Sequence, residues 1–177
     1  MDLKIVFTGT PGAGKTTAIA ALSDVVPMST DVANTDASLH KATTTVGMDY
    51  GHVDLDDGFR VRLFGTPGQE RFAFMWRILA QQALGLVILI DNSRPAPLDD
   101  LRLYLDHFAE LLPALPCAVG VGRTLECPLP TLDDFADALA DRGLALPVLA
   151  VDVRQRDDVL LLVETGIALA EAGATPT

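Results

Sequence analysis

Glycine, lysine and threonine are spaced near the start of the chain in a pattern that binds phosphate. Residues 9–16 read GTPGAGKT and follow an apolar run that predicts a strand. When Gly-x-x-x-x-Gly-Lys-Thr follows a strand and precedes a helix, its backbone N–H groups turn inward around a β-phosphate, and the helix dipole adds attraction. Lys15 would bridge the β- and γ-phosphates, and the Thr16 hydroxyl would bind Mg²⁺. The predicted nucleotide-binding residues here are Gly9, Thr10, Gly12, Ala13, Gly14, Lys15, Thr16 and Thr17.

The acidic charge balance of the chain limits the classes of partner that it can bind. The formal net charge is −11, with 24 acidic against 13 basic residues. Nucleic acid and anionic membranes are therefore poor candidates, because few cations are present to replace condensed counterions. Only three lysines occur, and one of them is Lys15. The longest apolar runs are too short for a bilayer, which takes roughly 20 residues. We expect a soluble, cytoplasmic protein without a stable membrane anchor, and its two cysteines show no metal or disulfide spacing.

Short β-branched runs alternate with helix-length segments, which predicts one α/β domain over residues 1–177 with a parallel sheet covered on both faces. Asp-Asp-Gly at 56–58 is typical of a hairpin, so the second and third strands should be antiparallel. The sequence predicts a long loop around residues 28–48, with room for a short helix at 37–42. The predicted strands are 3–8, 50–55, 59–64, 85–91, 116–122 and 146–151, and the predicted helices include 15–24, 97–112, 131–142 and 157–172.

A second motif follows the third predicted strand. Residues 64–72 read FGTPGQERF and resemble switch II of Ras-like small GTPases, in which D-x-x-G-Q occupies this place. The order of P-loop, threonine-rich loop, hairpin and switch II also agrees, over nearly the whole chain. The sequence is similar to the bacterial branch that contains MglA-type proteins and the GTP-binding proteins of Streptomyces conservons. This resemblance implies a P-loop NTPase fold: a Ras-like three-layer sandwich with a six-stranded, mostly parallel sheet, an antiparallel second strand and about five helices.

The resemblance also implies roles for individual residues. Gly68 would donate its backbone N–H to the γ-phosphate, and Gln69 would orient the attacking water, so that Gln69 and Lys15 are the candidate catalytic residues. Residues 45–48 read TVGM and resemble the T-[IV]-G-F of Arf-like GTPases. Thr45 is thus the candidate that reaches both Mg²⁺ and the γ-phosphate. Thr43 and Thr44 remain alternatives, because three consecutive threonines leave the register open.

Two departures concern the phosphate end of the site. The family aspartate that holds a water on Mg²⁺ at the end of the third strand is replaced by Gly65. Either magnesium affinity is reduced, or another carboxylate such as Asp49 reaches the same water. Pro11 stands where Ras-type proteins usually carry glycine, and it removes a donor that is not essential there.

A third departure concerns the base. The guanine-selecting motif N-K-x-D is represented by GRTL at residues 122–125, without its aspartate. Glu126 lies one residue further on and could serve in a longer loop. Arg123 could stack on the base in place of the family lysine. Asp152 is a candidate guanine contact from the opposite side, with capping of the last helix as the alternative.

The resemblance implies a GTP/GDP switch that binds Mg²⁺ and hydrolyses GTP slowly, helped by a roadblock/LC7-type (MglB-like) partner and read by an effector. A catalytic arginine could come from Arg71, Arg77, Arg94 or the partner. A dense apolar cluster beside switch II could be core or a partner surface. Two other functions stay open: a nucleotide or small-molecule kinase, which would show clustered arginines and a lid, and a degenerate module that keeps nucleotide without hydrolysis. The apolar cluster comprises Phe72, Phe74, Met75 and Trp76.

Overall fold

A computed structural model describes residues 2–30, 47–55 and 58–173. Its strands are β1 (Asp2–Gly9), β2 (Met28–Thr30), β3 (Met48–Asp54), β4 (Arg60–Gly65), β5 (Gly85–Asp91), β6 (Cys117–Gly122) and β7 (Val148–Ala150). Its helices are α1 (Lys15–Leu22), α2 (Ala73–Ala80), α3 (Pro97–Phe108), α4 (Leu132–Ala140) and α5 (Arg156–Gly173), with a 3-10 turn (Glu70–Phe72) before α2. The expected short helix at 37–42, Thr43 to Thr45, and Asp56 and Asp57 lie outside the described residues.

The strands form one seven-stranded sheet in the order β2-β3-β4-β1-β5-β6-β7. Strands β1, β4, β5, β6 and β7 pair in parallel, whereas β3 is antiparallel to both of its neighbours. The hairpin signal predicts this direction for the pair of β3 and β4. The seventh strand is β2, which the sequence places in a loop. Three residues reading Met-Ser-Thr are too short and too polar to give a strand pattern, and pairing with β3 supplies their hydrogen bonds.

Helices cover both faces of the sheet, which confirms the three-layer sandwich. One core joins α2, α3 and α4 to the sheet around Trp76, Ile88 and Phe108. The other joins α1 and α5 to the opposite face around Phe7 and Ile19. All seven residues of β5 are buried, because this strand is central and packed on both sides.

Local signals explain the helix boundaries. The Thr131 side chain accepts a hydrogen bond from the Asp134 N–H, and the Asp134 carboxylate accepts one from the Thr131 N–H, which confirms the expected cap of α4. Helix α3 ends at Phe108, earlier than the sequence suggests, because the next residues form turns before Pro116.

The topology gathers loops at one edge of the sheet. The carboxyl ends of parallel strands share an edge, so the segments that follow β1, β4, β5, β6 and β7 lie there together. Strand β3 runs the other way and therefore begins at this same edge, with Met48 and Asp49. The two sequence motifs, at residues 9–16 and 64–72, therefore lie at the same edge of the sheet as the first residues of β3.

Candidate nucleotide site

The loop after β1 has the backbone shape that a phosphate requires. Gly12 and Gly14 have φ of +82° and +96°, conformations that other residues rarely adopt. Gly9 also has no room for a side chain, since a Cβ there would lie 2.3 Å from the Leu89 carbonyl oxygen. Helix α1 begins at Lys15 directly after this loop, and its first turn contains no acidic residue. The N-terminal end of the helix dipole is therefore free to attract an anion.

Lys15 is a buried cation inside the loop. Its Nζ donates to the carbonyl oxygens of Gly9 (2.7 Å) and Thr10 (2.9 Å). Burial lowers the pKa of Lys15 to about 8, and the nearby Asp49 carboxylate acts in the opposite direction. A buried ammonium that has only neutral oxygen acceptors gains when an anion arrives, so this side chain is suited to binding a phosphate.

Thr16 lies one residue further on, and its hydroxyl donates to the Asp49 Oδ2 at 2.6 Å. Asp49 is 5% exposed and pairs across the β-ladder with Gly65. A hydroxyl and a carboxylate beside a phosphate loop are the hard oxygen ligands that Mg²⁺ prefers. The residues present at this point therefore fit a magnesium ion.

The switch II segment lies against the phosphate loop. A Cβ on Gly68 would be 2.7 Å from the Pro11 nitrogen and 2.9 Å from the Lys15 Nζ, so only glycine allows this approach. Two aromatic donors hold the segment from the other side: the Trp76 indole N–H donates to the Pro67 carbonyl (2.5 Å), and the Tyr104 hydroxyl donates to the Gly68 carbonyl (3.4 Å).

These two aromatic rings belong to the core. The rings of Trp76 and Tyr104 stack with centroids 4.6 Å apart, and His107 meets the indole edge-on at 5.1 Å. Both rings are fully buried. The position of Pro67 and Gly68 is thus coupled to the packing of α2 on α3, whereas Gln69, the next residue, is exposed.

A cavity of about 720 Å³ continues from the phosphate loop along the same edge of the sheet. The phosphate-loop side contributes Gly12, Ala13, Gly14 and Thr17. The ends of β5, β6 and β7, the segments that follow these three strands, and Asp158 of α5 contribute the remaining walls. Arg123 and Asp152 both line it, as expected of base contacts. Glu126, which by the family's spacing could serve only in a longer loop, lines the cavity as well.

The charged groups of this cavity are partly engaged with one another. Arg123, whose φ is +62°, places its Nε 3.5 Å from the Asp91 Oδ1. Asp152 accepts two hydrogen bonds from the Arg154 guanidinium, at 2.8 and 2.7 Å, and these contacts lower the pKa of Asp152 to about 2. The Asp152 Oδ1 also accepts from the Arg154 backbone N–H at 3.0 Å, and Arg154 precedes α5, which begins at Arg156.

The three candidate arginines have other partners. Arg77 pairs with Glu110, and the Arg94 Nε donates to the Asp100 carboxylate at 2.5 Å. The Arg71 guanidinium lies 4.8 Å from the centroid of the Phe72 ring.

The apolar cluster beside switch II divides in two. Trp76 is fully buried, whereas Phe74 is 63% exposed and Ile78, on the same helix, is 61% exposed. Core and surface readings are each correct for part of it.

Sequence reasoning missed two site residues. Asp91 lines the cavity, and its Oδ1 accepts from the Ser93 N–H and hydroxyl. A signal was available, because Asp91 ends a wholly apolar strand at the edge where the phosphate loop lies. Tyr104 offered no such signal, since its spacing in α3 is that of a core residue.

Comparisons with known proteins agree with this fold. The G domain of the T. maritima FeoB iron transporter superposes with a TM-score of 0.62 at 16% sequence identity, covering 97% of this chain and 99% of that one. At this identity the likeness shows the fold, that of a G domain. Within residues 2–30, 47–55 and 58–173, no helix has both the length and the apolar character to cross a bilayer.

Three curated relatives are more similar in sequence. Human Ras-related protein Rab-26 is 31% identical over 110 residues, which are 60% of this chain and 39% of that protein. Mouse Rab-44 is 27% identical over 126 residues, 70% of this chain and 12% of its own length. An uncharacterized protein of Methanocaldococcus jannaschii is 27% identical over 99 residues, 56% of this chain and 57% of its own. The chain therefore spans less than two thirds of each of these relatives.

A family model identifies the group to which the chain belongs. The model, described as conserved hypothetical ATP binding protein, matches residues 28–117, just over half of the chain. The matched segment begins after the phosphate loop and includes β3, the switch II motif, β5 and α3. The chain is a member of this family of conserved hypothetical ATP binding proteins, with the fold of a G domain.

Proposed function

We propose that the protein is a small GTPase that acts as a GTP/GDP switch in bacterial signalling or polarity and hydrolyses GTP slowly. The observation that carries this proposal is the contact of Gly68 with Pro11 and Lys15. A switch II glycine held there can donate its N–H to a γ-phosphate but loses that partner once the phosphate leaves. Such loss is the usual origin of two nucleotide-dependent states.

Lys15 and the loop amides would bind the β- and γ-phosphates, and Gln69 would orient the attacking water. We assign the metal site to Thr16 and Thr45, of which Thr45 lies outside the described residues. When bound, Mg²⁺ would neutralise the charge that develops on the phosphate oxygens. The Thr16 hydroxyl beside the buried Asp49 carboxylate supports this assignment.

We propose that the base is guanine. Four carboxylates line the cavity: Asp91, Glu126, Asp152 and Asp158. A carboxylate can accept the N1–H and N2–H donors of guanine, whereas adenine would present a lone pair on N1 to it. We assign this role to Glu126, because the other three carboxylates have partners. Both oxygens of Asp152 are engaged by Arg154. One oxygen of Asp91 accepts from Ser93, and one oxygen of Asp158 accepts from the Asp152 N–H. Arg123 would stack on the base.

A second candidate is an ATP-binding protein of the same fold. Its support is the family to which the chain belongs, that of conserved hypothetical ATP binding proteins, and the replacement of N-K-x-D by GRTL at residues 122–125. A kinase is less well supported, since the sequence after the third and fifth predicted strands lacks the clustered arginines of such enzymes, and the GTPGQER motif at residues 65–71 would have no role in one.

We further propose a cytoplasmic location and regulation by a roadblock-type, MglB-like protein, with a separate effector that reads the GTP state. Free Cys117 and Cys127 suit a reducing compartment. The exposed side chains of Phe74 and Ile78 on α2 offer an apolar contact next to switch II. An arginine from the partner would supply the positive charge that Arg71, Arg77 and Arg94 do not bring to the phosphate loop.

Gln69→Leu is expected to lower the single-turnover rate of GTP hydrolysis by roughly 10- to 100-fold, because the water loses the group that orients it. The affinity for GTP should stay near that of the wild type, since Gln69 is exposed and its proposed role is to orient the water rather than to bind the phosphates. Phosphate release from preloaded protein measures the rate. Gln81→Leu, another exposed glutamine at the far end of α2, serves as the matched control. Equal rates in the Gln69 variant and the wild type would contradict a hydrolytic switch and favour a degenerate module.

The indole of Trp76 provides a direct report on the switch, because it is the one tryptophan of the sequence and donates to Pro67. We expect the GDP form to emit at longer wavelength than the form with a non-hydrolysable GTP analogue, since Gly68 then lacks its γ-phosphate partner and the indole becomes more exposed. Fluorescence of the two loaded forms measures this, with Lys15→Ala as the variant that should respond to neither nucleotide. Superimposable spectra of two demonstrably loaded wild-type forms would rule out a switch II rearrangement.

A further inference from the structure

Strand β4 ends in Gly65, where the switch II resemblance leads one to expect a carboxylate. The space that a side chain at position 65 would occupy is filled by a neighbouring residue. A Cβ on Gly65 would lie 3.0 Å from both Cβ and Oδ2 of Asp49. The glycine therefore makes room for a carboxylate that comes from the neighbouring strand.

Asp49 reaches this space because β3 is antiparallel. In the ladder Asp49 is directly opposite Gly65, so the two residues face the same side of the sheet. As the second residue of β3, Asp49 lies at the edge where β1 and β4 end. A residue at the start of this strand can thus replace one at the end of its neighbour.

The electrostatics of Asp49 indicate a cation as its partner. The side chain is 5% exposed, and its hydrogen bond from a described residue comes from the neutral hydroxyl of Thr16. The Lys15 ammonium interacts with Asp49 electrostatically, but its hydrogen bonds go to the carbonyls of Gly9 and Thr10. A buried carboxylate is costly unless it is paired with a charge or a metal.

We propose that Asp49 supplies the carboxylate of the magnesium site, acting with Thr16 in place of the acid missing at position 65. This inference rests on the proposed function, since the ion would arrive with the nucleotide phosphates. Compared with Ras-like GTPases, the carboxylate is then provided by β3, at Asp49, instead of by β4, at position 65, and the metal site is preserved. Asp49 is a binding residue for the ion and takes no part in proton transfer.

The test is the effect of magnesium on the affinity for fluorescently labelled GDP. The affinity is measured by equilibrium titration in two buffers, one with about 5 mM MgCl₂, which is on the order of the concentration that saturates Mg²⁺–nucleotide sites, and one with EDTA. Asp49→Asn keeps an oxygen acceptor for Thr16 but removes the charge. We expect the gain in affinity that magnesium gives to the wild type to fall by roughly 10- to 100-fold in this variant. Affinity in EDTA should be unchanged or slightly higher, because a negative charge near the phosphates is lost.

Asp54→Asn is the matched control, because Asp54 lies on the same strand, is exposed, and pairs with Arg60 away from the phosphate loop. It should retain the wild-type magnesium effect. A binding titration with Mn²⁺ followed by electron paramagnetic resonance gives a second readout on the GDP-loaded proteins, in which only Asp49→Asn should bind the ion more weakly.

A rescue experiment moves the carboxylate back to β4. In Asp49→Gly combined with Gly65→Asp, the contacts with Asp49 disappear, and the remaining close atom is the flexible end of Ile19. The double variant should recover the magnesium effect that Asp49→Gly alone loses. A wild-type magnesium effect in Asp49→Asn, or a loss of GDP affinity in EDTA, overturns the inference. A wild-type protein that binds no nucleotide in either buffer overturns the proposed function instead.

Discussion

Lys15→Ala is expected to weaken the binding of GTP and GDP by roughly 10²- to 10³-fold. The ammonium is buried, and it is the described cation that touches the inside of the phosphate loop, through Gly9 and Thr10. Removing one member of a buried charge pair costs about 3–5 kcal/mol, and each 1.4 kcal/mol is a factor of ten in affinity. The fold should persist, because in the free protein a buried ammonium is costly rather than stabilising.

The same lysine sets a pH dependence. Its pKa of about 8 in the free protein should rise when phosphates bind, so binding takes up a proton once the free lysine is neutral. Affinity is then constant below pH 8 and falls above it, by at most about tenfold per pH unit, until the pKa of the bound lysine is reached. Lys15→Ala should lack this dependence.

Equilibrium titration with labelled nucleotide at pH 7 to 9 measures both effects. Lys4→Ala is the control, because Lys4 lies at the other end of β1, where its Nζ donates to the Gln81 carbonyl. It should keep the affinity and the pH profile of the wild type. If Lys15→Ala bound GTP within a few fold of the wild type, the assignment of the loop as a phosphate site would be wrong.

Much of the fold follows from local sequence patterns. The alternation of apolar runs and helix-length segments predicts the parallel sheet, and Asp-Asp-Gly at 56–58 predicts the reversed direction of β3. Strand β2 escapes prediction because its Met-Ser-Thr has no periodicity, so only pairing with β3 makes it a strand.

In the site, too, the features that follow from local sequence could be predicted, and those that depend on the packing of distant segments could not. The phosphate loop and switch II are contiguous motifs, so sequence reasoning finds them and the structure brings them together through Gly68 and Lys15. The role of Asp49 can be proposed from the sequence, but its position opposite Gly65 depends on the register of β3 against β4, which cannot be derived from a single residue. The contacts of Trp76 and Tyr104 with switch II depend on how α2 packs on α3, and apolar spacing does not encode this.

Base selectivity has the second large expected effect. We expect GTP to bind more tightly than ATP by at least about 100-fold, because two hydrogen bonds to a charged acceptor contribute about 1.5–3 kcal/mol each. Adenine would instead place its N1 lone pair against the carboxylate. Glu126→Gln should reduce this preference, since an amide can no longer accept both donors through two oxygens.

Asp54→Asn is again a suitable control, because it removes the same charge at the opposite end of the sheet. A preference that survives Glu126→Gln undiminished would exclude Glu126 as the group that reads the base. Asp91, Asp152 and Asp158, the other carboxylates of the cavity, would then be the residues to change.

The most direct measurement is the equilibrium titration of the purified wild-type protein with labelled GTP, GDP and ATP, with and without magnesium. We expect saturable binding of both guanine nucleotides, a tighter complex when magnesium is present, and little displacement of labelled GTP by unlabelled ATP. Displacement by ATP as effective as that by GTP would contradict a guanine-specific switch and favour the ATP-binding alternative. A protein that binds none of the three would contradict the nucleotide site itself.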